Sequence, residues 1–433
     1  MEDHSRTVIA VLLSPQGRAA VAAGETGTLV RLMREARGWT QSDLADRSGY
    51  SQPTISRLER GTSRAARDTV VLADVAQALG APVAALGVSG PLDDPPMLDN
   101  VERRDLLGGA ASLAVTVLLP RGVATPGRID TGQAVQCWTA LRRLFELDDC
   151  QGGATVYPVA EGIAQRLQDA LRRGSYSSAV GRELQSVTAA TMEHAGWLAY
   201  DAGWQQKARQ WWLETCHFAE LTDVPGARVT ALASMALQAS NTPGGGRETV
   251  SLARAARTVA KKDQSLAPTL LSVLAAREAV GHAQTGDRGA AVTAIGEARQ
   301  WLDHGRRGDE PFWLDFWGPA DLAWHETRVA LVGRNGKSAE VAARAALASS
   351  AADAFPRNHV VYTVGLASVL TQLGQLDEAI SVASDAIHGV QEIRGSGLII
   401  ADLRRTVDLL GQQKYPPATT FATAARRLLP ASR

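Results

Sequence analysis

Residues 40–61 read TQSDLADRSGYSQPTISRLERG. The stretch divides at Gly49 into two short polar-flanked segments, each with its few apolar residues on one side when drawn as a helix: Leu44 in the first, Ile55 and Leu58 in the second. Pro53 does not argue against the second helix. With Ser51 as N-cap it is the second helical residue, where a missing N–H breaks no helical bond and a fixed φ suits the start. Opposite Ile55 and Leu58 lie Gln52, Pro53, Ser56 and Arg57, a polar arc.

The neighbouring sequence continues in the same manner. From Thr28 to about Gly80 run four helix-like segments, TLVRLMREARG, TQSDLADRSG, SQPTISRLERG and ARDTVVLADVAQALG, each closing at or near a glycine, the residue favoured just past a helix end. Residues 87–100, GVSGPLDDPPMLDN, concentrate Gly, Pro, Asp and Ser and read as a linker. Residues 1–24 hold VIAVLL and then SPQGRAAVAAG, compatible with either a helix or a strand packing on the segments after residue 24. The segment ERRDLLGGAASLAVTVLLP at 102–120 imitates a twin-arginine export signal, but it lies far from the first residue. Its apolar run falls short of the ~20 residues a membrane helix needs. A buried connecting helix is the expectation.

The 433 residues accommodate about two to four domains. Hydrophobic residues are 45% and aromatics only 5%, a mix rich in alanine, leucine, valine and arginine that favours helix over sheet. An all-α chain is expected. Lys plus Arg and Asp plus Glu both number 45, so no global field draws the molecule onto nucleic acid. Any such attraction is local: residues 31–67 hold eight arginines against four acids, a window of +4 that leaves the remainder at −4. Cys137, Cys150 and Cys216 form no CxxC pair and are odd in number, the pattern of reduced thiols in a cytoplasm.

The opening stretch fits the twenty-residue helix-turn-helix pattern position by position. Ala45 is the small residue beneath the crossing helix, Gly49 supplies the turn, and Leu44, Ile55 and Leu58 hold the pair together, while Tyr50 stands where an aliphatic residue is commoner. A recognition helix must present such a polar arc to the major groove, where Gln pairs with adenine and Arg with guanine. Gln52 and Arg57 are the candidate base readers; Thr54 and Ser56 are shorter-range contacts to base or phosphate, and Pro53 offers only apolar contact. Gln41 opens the preceding helix, where it can grip a phosphate, and Arg60, Arg64 and Arg67 add phosphate contacts. TISRLERG at 54–61 is the typical ending of the Cro/repressor-like regulators of the xenobiotic-response-element (XRE) family, which residues 28–80 resemble. The resemblance implies a five-helix domain, DNA binding as a dimer and contacts from the start of the third helix.

Beyond residue 130 the chain is self-similar. Gly203, Ala208, Thr215; Gly286, Ala291, Ala298; and Gly374, Ala379, Ala386 each place small residues five and twelve positions after a turn glycine. Small side chains seven apart share a helix face and let a neighbouring helix approach closely. The clearest copy is TVGLASVLTQLGQLDEAISVASDAI at 363–387, and weaker turns fall near Gly244 and Gly333, so that turns recur every 41 to 47 residues. Gly196 sits seven before Gly203, where the motif places a small residue. This resembles the tetratricopeptide repeat (TPR) with extended spacing. A right-handed solenoid of about five helix pairs is expected. The division is then an arm at 1–24, an XRE-type domain at 25–87, a linker and connecting helix at 88–130, repeats at 131–397 and capping helices at 398–433.

Taken together, the chain resembles repeat-containing XRE-type regulators of filamentous actinobacteria. Peptide-pheromone receptors of similar architecture hold a peptide in the repeat groove through asparagines, whereas here only Asn100, Asn241, Asn335 and Asn358 exist, three of them in apparent turns or loops. Aromatic residues concentrate at Trp301, Phe312, Trp313, Phe316, Trp317 and Trp324, where 312/316 and 313/317 have the spacing of neighbours on one helix. The stripe reads either as core between repeats or as a ligand or dimer surface. Trp197, Trp204, Trp211 and Trp212 pose the same choice, with Trp212 at a repeat-core position.

Searches for chemistry end in near misses. GRNGKS at 333–338 finishes like a phosphate-binding loop, but Leu331 stands where the first glycine is required and no strand precedes it. His325 and Glu326 lack an HExxH partner, and neither a metal site nor a nucleophile context is recognisable. No enzyme, metal or cofactor is expected. The reading is a cytoplasmic, sequence-specific transcriptional regulator that binds a double-stranded DNA operator as a homodimer through its repeats, with a peptide or small-molecule effector and no membrane partner. The other reading is a TPR-type protein-interaction scaffold with weak or vestigial DNA contact.

Overall fold

The computed structural model describes residues 2–61, 69–81 and 127–429, apart from 263–266, 309, 351 and 394, with isolated positions between 86 and 123. The described residues are helical apart from turns and one isolated bridge between Arg128 and Ser175. They form two compact units, residues 1–143 with 158–184 and residues 144–157 with 185–433.

The first unit opens with α1 (Glu2–Leu13) and α2 (Pro15–Ala22), then α3 (Thr26–Glu35), α4 (Gln41–Ser48), α5 (Gln52–Glu59) and α6 (Thr69–Ala78). The segment compatible with helix or strand is thus two helices. Ser14 caps the second by accepting from Gly17 N at 2.9 Å, with Pro15 in the first turn. Val8, Val11, Leu12 and Ala20 share one buried core with Leu29, Val30, Met33, Leu44, Ala45, Ile55, Leu58, Leu72, Val75 and Leu79. Ala81 and Leu86, beyond the last of the four segments, are buried in it too. The linker at 88–100 lies outside the described residues. Of the apolar run at 102–120, Val115 and Leu119 are described and buried, and Val115 sits where a Cβ on Gly162 would fall. No helix among the described residues is long and apolar enough to cross a membrane.

The chain passes between the units within α7 (Thr131–Gln151), α8 (Gly153–Arg173) and α9 (Ser178–Asp201). The second unit then runs in helix pairs: α9 with α10 (Gln205–Thr222), α11 (Pro225–Ser240) with α12 (Gly246–Ala260), α13 (Pro268–Gln284) with α14 (Arg288–Asp303), α15 (Pro319–Val332) with α16 (Gly336–Ala348), and α17 (Pro356–Gln372) with α18 (Leu376–Glu392). A sixth pair, α19 (Gly397–Gly411) and α20 (Pro416–Leu428), ends the unit. The turns of the five pairs each hold one residue at positive φ: Gly203, Gly244, Gly286, Arg334 and Gly374. The fourth turn was expected at Gly333, but that residue is right-handed (φ −71) and Arg334 takes the left-handed place. Such a conformation costs a residue with a Cβ ~1–2 kcal/mol, partly offset by Asn335, whose side chain caps α16 by accepting from Ser338 N at 3.2 Å.

Counted from these five residues, the fifth and twelfth positions are Ala208 and Thr215, Thr249 and Ala256, Ala291 and Ala298, Ala339 and Ala346, and Ala379 and Ala386, none more than 2% exposed. The two turns that looked weak therefore carry the same register. First helices also pack on first helices, α11 on α13, α13 on α15 and α17 on α19. Glycines make room where a large ring fills a crossing: a Cβ on Gly196 would lie 2.5 Å from Trp212 Nε1, and one on Gly365 would meet the Trp324 ring.

The aromatic stripe is not one helix. Phe312–Leu314 form a single 3-10 turn and the next helix starts only at Pro319, because a residue before proline is disfavoured in the helical region and Gly318 is fully extended. Trp317 is buried, its Nε1 donating to Ser272 Oγ at 3.0 Å. Trp313, Phe316 and Trp324 are half-buried against separate apolar clusters, Phe312 meets Phe145 edge-on, and Trp301 lies beside His304.

The last pair is joined to the beginning of the unit. Gly395 N donates to Gln151 O at 3.0 Å and Ala154 N to Gly395 O at 2.9 Å. Beside this seam Asp201 accepts from Ser396 Oγ (2.7 Å) and Gly153 N (2.8 Å), and Arg357 faces Asp201, Asp148 and Asp149 at 3.5, 3.9 and 3.9 Å.

Gly196→Ala is expected to cost ~1–3 kcal/mol in urea unfolding of the second unit, because Trp212 is fixed by its bond to Glu193 O (3.2 Å). Gly289→Ala, whose Cβ would meet only Asp287 Oδ1 at 3.8 Å, should leave the midpoint unchanged or slightly raised. Stability should also depend on pH. Burial pushes Asp149 and Asp321 up to about 7, so each stays protonated in the fold at a pH where the unfolded chain has lost the proton. A raised carboxyl contributes stability that is lost as pH rises through its folded pKa. Lowering pH from 8 to 6.5 should therefore stabilise the unit, by at most ~1.4 kcal/mol per pH unit for each group, and Asp321→Asn should lower that slope. His194 and His325, which burial holds down to about 3, begin to oppose the trend as pH falls toward their unfolded value of 6.5 and oppose it more strongly below it. Thermal melts across that range, wild type against Asp321→Asn, check the sign.

Candidate nucleic-acid interface

Helix α4 begins where Thr40 and Asp43 form a reciprocal capping box: Asp43 N donates to Thr40 Oγ1 at 3.1 Å and Thr40 N to Asp43 Oδ2 at 2.7 Å. Hydrogen bonding to Thr40 lowers the Asp43 pKa. The helix ends at Gly49, left-handed at φ 76, which turns the chain into α5. Ser51 occupies the N-cap backbone position, but its hydroxyl pairs with Thr54 Oγ1 at 2.9 Å instead of capping a backbone N–H. Pro53 lies in the first turn as expected.

Ile55 and Leu58 are completely buried, while Ser51, Gln52, Pro53, Arg57 and Arg60 are exposed and Thr54 and Ser56 half-exposed. The arc drawn from the sequence thus exists as a surface of α5. Arg57 Nε donates to Pro53 O and Arg60 Nε to Ser56 O, both at 3.1 Å, so each guanidinium folds back along the helix. Arg64 and Arg67 lie outside the described residues.

A polar circuit missed by the sequence reading fixes this surface. Arg34 on α3 is buried and grips Glu59 at the end of α5, Nε to Oε1 at 2.6 Å and Nη2 to Oε2 at 3.1 Å, while its Nη1 donates to Trp39 O at 2.6 Å. The hydrogen bond that Arg34 donates to Glu59 is the main cause of its raised pKa. Gln41 Nε2 donates to Glu59 Oε2 and Gln52 Nε2 to Gln41 Oε1, both at 2.7 Å. Gln41, read as a phosphate grip, is thus the link by which the end of α5 orients Gln52 at its start. Gly27 makes the crossing tight, since a Cβ there would lie 2.4 Å from Leu58 O.

Two more arginines of the basic window also have structural tasks. Arg47 lies 4.3 Å and Arg37 5.4 Å from the Trp39 ring, and Tyr50, partly buried in the core, donates its hydroxyl to Asp74 Oδ2 at 2.7 Å. The cue to the circuit was present as two unlike facts: an acid at position 59 inside a basic stretch, and glutamines at the first position of both helices.

Replacing one member of the buried pair leaves the other charge unpaired, so Arg34→Met or Glu59→Leu should each destabilise the N-terminal unit by ~3–5 kcal/mol. The double variant should recover most of that loss. A double-mutant cycle in urea checks it, and additive single effects would show that the two side chains are not coupled.

A family model described as a helix-turn-helix domain matches residues 25–86. Among solved structures, the chain is similar to the P58(IPK) TPR domain, at 13% identity over 87% of this chain and 98% of that one, with a TM-score of 0.19. No curated protein matches the chain. The protein therefore has an N-terminal helix-turn-helix region and a C-terminal repeating α-helical solenoid consistent with a TPR-like architecture.

Proposed function

We propose that the protein is a sequence-specific DNA-binding transcriptional regulator of the cytoplasm, reading its operator with α5 and dimerising through the repeat unit. The observation that carries this is the exposed arc of Gln52, Pro53, Ser56 and Arg57 on a helix whose other face is fixed in the core. Gln52 gives one amide hydrogen to Gln41 and retains a second hydrogen and its carbonyl oxygen, the pair that adenine N7 and N6–H₂ require. Arg57, one turn further, is the candidate for guanine. Arg60, Arg64 and Arg67 are phosphate contacts, and Pro53 is restricted to apolar contact such as a thymine methyl. A homodimer would present two such helices to half-sites about one helical turn apart.

Genomic DNA captured by the wild type, Gln52→Ala and Arg57→Ala tests the assignment. Each variant should lose preference at one base position of the motif, a discrimination of ~1–3 kcal/mol. Arg60→Ala should instead weaken binding to every sequence and lower the salt slope by about 0.9. Unchanged site preference in both α5 variants would remove the reading.

A further inference from the structure

The first helices of the second unit carry buried cations that no carboxylate of the described residues pairs with directly. Arg277 stands in the middle of α13, buried at 7% exposure, and makes no ion pair or hydrogen bond with any described residue; its Nε is fully enclosed and unpartnered. The two carboxylates that act on it electrostatically make no direct contact with it and take hydrogen bonds from neutral hydroxyls. Glu193 accepts from Ser234 Oγ and Asp321 from Tyr362 OH, both at 2.7 Å. Arg328, on the next first helix, gives its Nη2 to Ser240 O (3.3 Å), Ser240 Oγ (2.8 Å) and Asn241 Oδ1 (2.8 Å), all neutral acceptors.

Beside them His325 is buried against Trp317, ring centroids 5.1 Å apart. Its Nδ1 lies 2.9 Å from Asp321 O and must donate there, which leaves Nε2 as an acceptor, enclosed and without a partner. Arg328 and Arg277 both act electrostatically on this ring, and the helices that carry the three groups, α13 and α15, pack on each other. A buried guanidinium that makes no direct ion pair or hydrogen bond is costly for a fold to hold. A site for an anion explains it.

We propose that Arg277, with Arg328 and His325 beside it, binds the acid group of a small organic ligand that carries a hydrogen-bond donor next to its charge: a phosphate monoanion or a hydroxy acid. Arg277 supplies the charge and a two-pronged donor edge. Arg328 adds positive potential from a fixed position. His325 Nε2 accepts from the ligand's own O–H. The site does not depend on whether the N-terminal domain binds DNA, and its test is read without DNA.

The test is thermal melting of the full chain followed by tryptophan fluorescence, to which Trp39 and Trp138 contribute from the first unit and the other eight tryptophans from the second. Sodium phosphate, lactate and propionate are compared with chloride at matched ionic strength. Phosphate, lactate or both should raise the wild-type melting temperature beyond chloride, by on the order of 3 °C at concentrations well above Kd, and propionate, which lacks the donor, should raise it less. Phosphate alone would identify a phosphate ligand, and lactate alone a hydroxy acid. Arg277→Met should abolish the anion shift while melting at or above the wild type without anion, because it removes an unpaired buried charge; Arg277→Lys should retain part of the shift. No shift beyond chloride, a shift that survives Arg277→Met, or an Arg277→Met protein that melts well below wild type would each overturn the proposal.

Discussion

The second unit depends on one recurring constraint: a left-handed residue closes a helix, and the next helix must show a small side chain five and twelve positions later. Schellman-type bonds at these turns, such as Trp204 N to Ala199 O and Gln375 N to Leu370 O, fix how each second helix leaves its first. Alanine or threonine at the two buried positions then lets the backbones approach to contact distance. Because the same geometry recurs five times, the small rotation from pair to pair accumulates into the curvature of the solenoid. The last pair meets Gln151 and Ala154 through Gly395, and a Cβ on Gly152, Gly153, Gly395 or Gly397 would clash with backbone there.

The first unit solves a different problem. A two-helix reading head as short as α4 and α5 buries little surface of its own, so its geometry must be set from outside. The Arg34 to Glu59 pair does this from α3, and the chain of bonds through Gln41 reaches the first residue of α5. A pair of apolar residues at 34 and 59 would stabilise the same crossing at less desolvation cost. It would not orient an amide at Gln52, which offers a physical reason for charge in a core otherwise made of leucine, valine and isoleucine.

What was legible in the sequence came from local periodicity. Leu44, Ile55 and Leu58 against Gln52 and Arg57 gave the two faces of α5, and three glycine-spaced copies gave the repeat. The register was legible even at the weak turns once Thr249 was admitted as a small residue and Arg334 as a left-handed one. Residues 312–317 misled because helical spacing was read across Pro311, Gly318 and Pro319, which break a helix on both sides. The seam was not legible, and of the Arg34 to Glu59 pair only the odd acid at position 59 hinted. They join residues as far apart as Asp201 and Ser396, and no pattern within a window of sequence reports a contact of that separation.

Buried charge is treated in contrasting ways within the second unit. Glu278 on α13 is surrounded by Arg254, Arg257 and His282, and Arg357 faces three aspartates at the seam, so those charges are matched inside the fold. Arg277 precedes Glu278 in the chain and has no such match. Adjacent residues on a helix point about 100° apart. Glu278 is therefore turned toward the arginines of the second helix before it, and Arg277 leaves α13 on a different side. A solenoid needs only the Glu278 charge to hold its pairs together. Arg277 adds desolvation cost without a direct ion pair, and an anion bound beside it, as proposed above, would offset that cost.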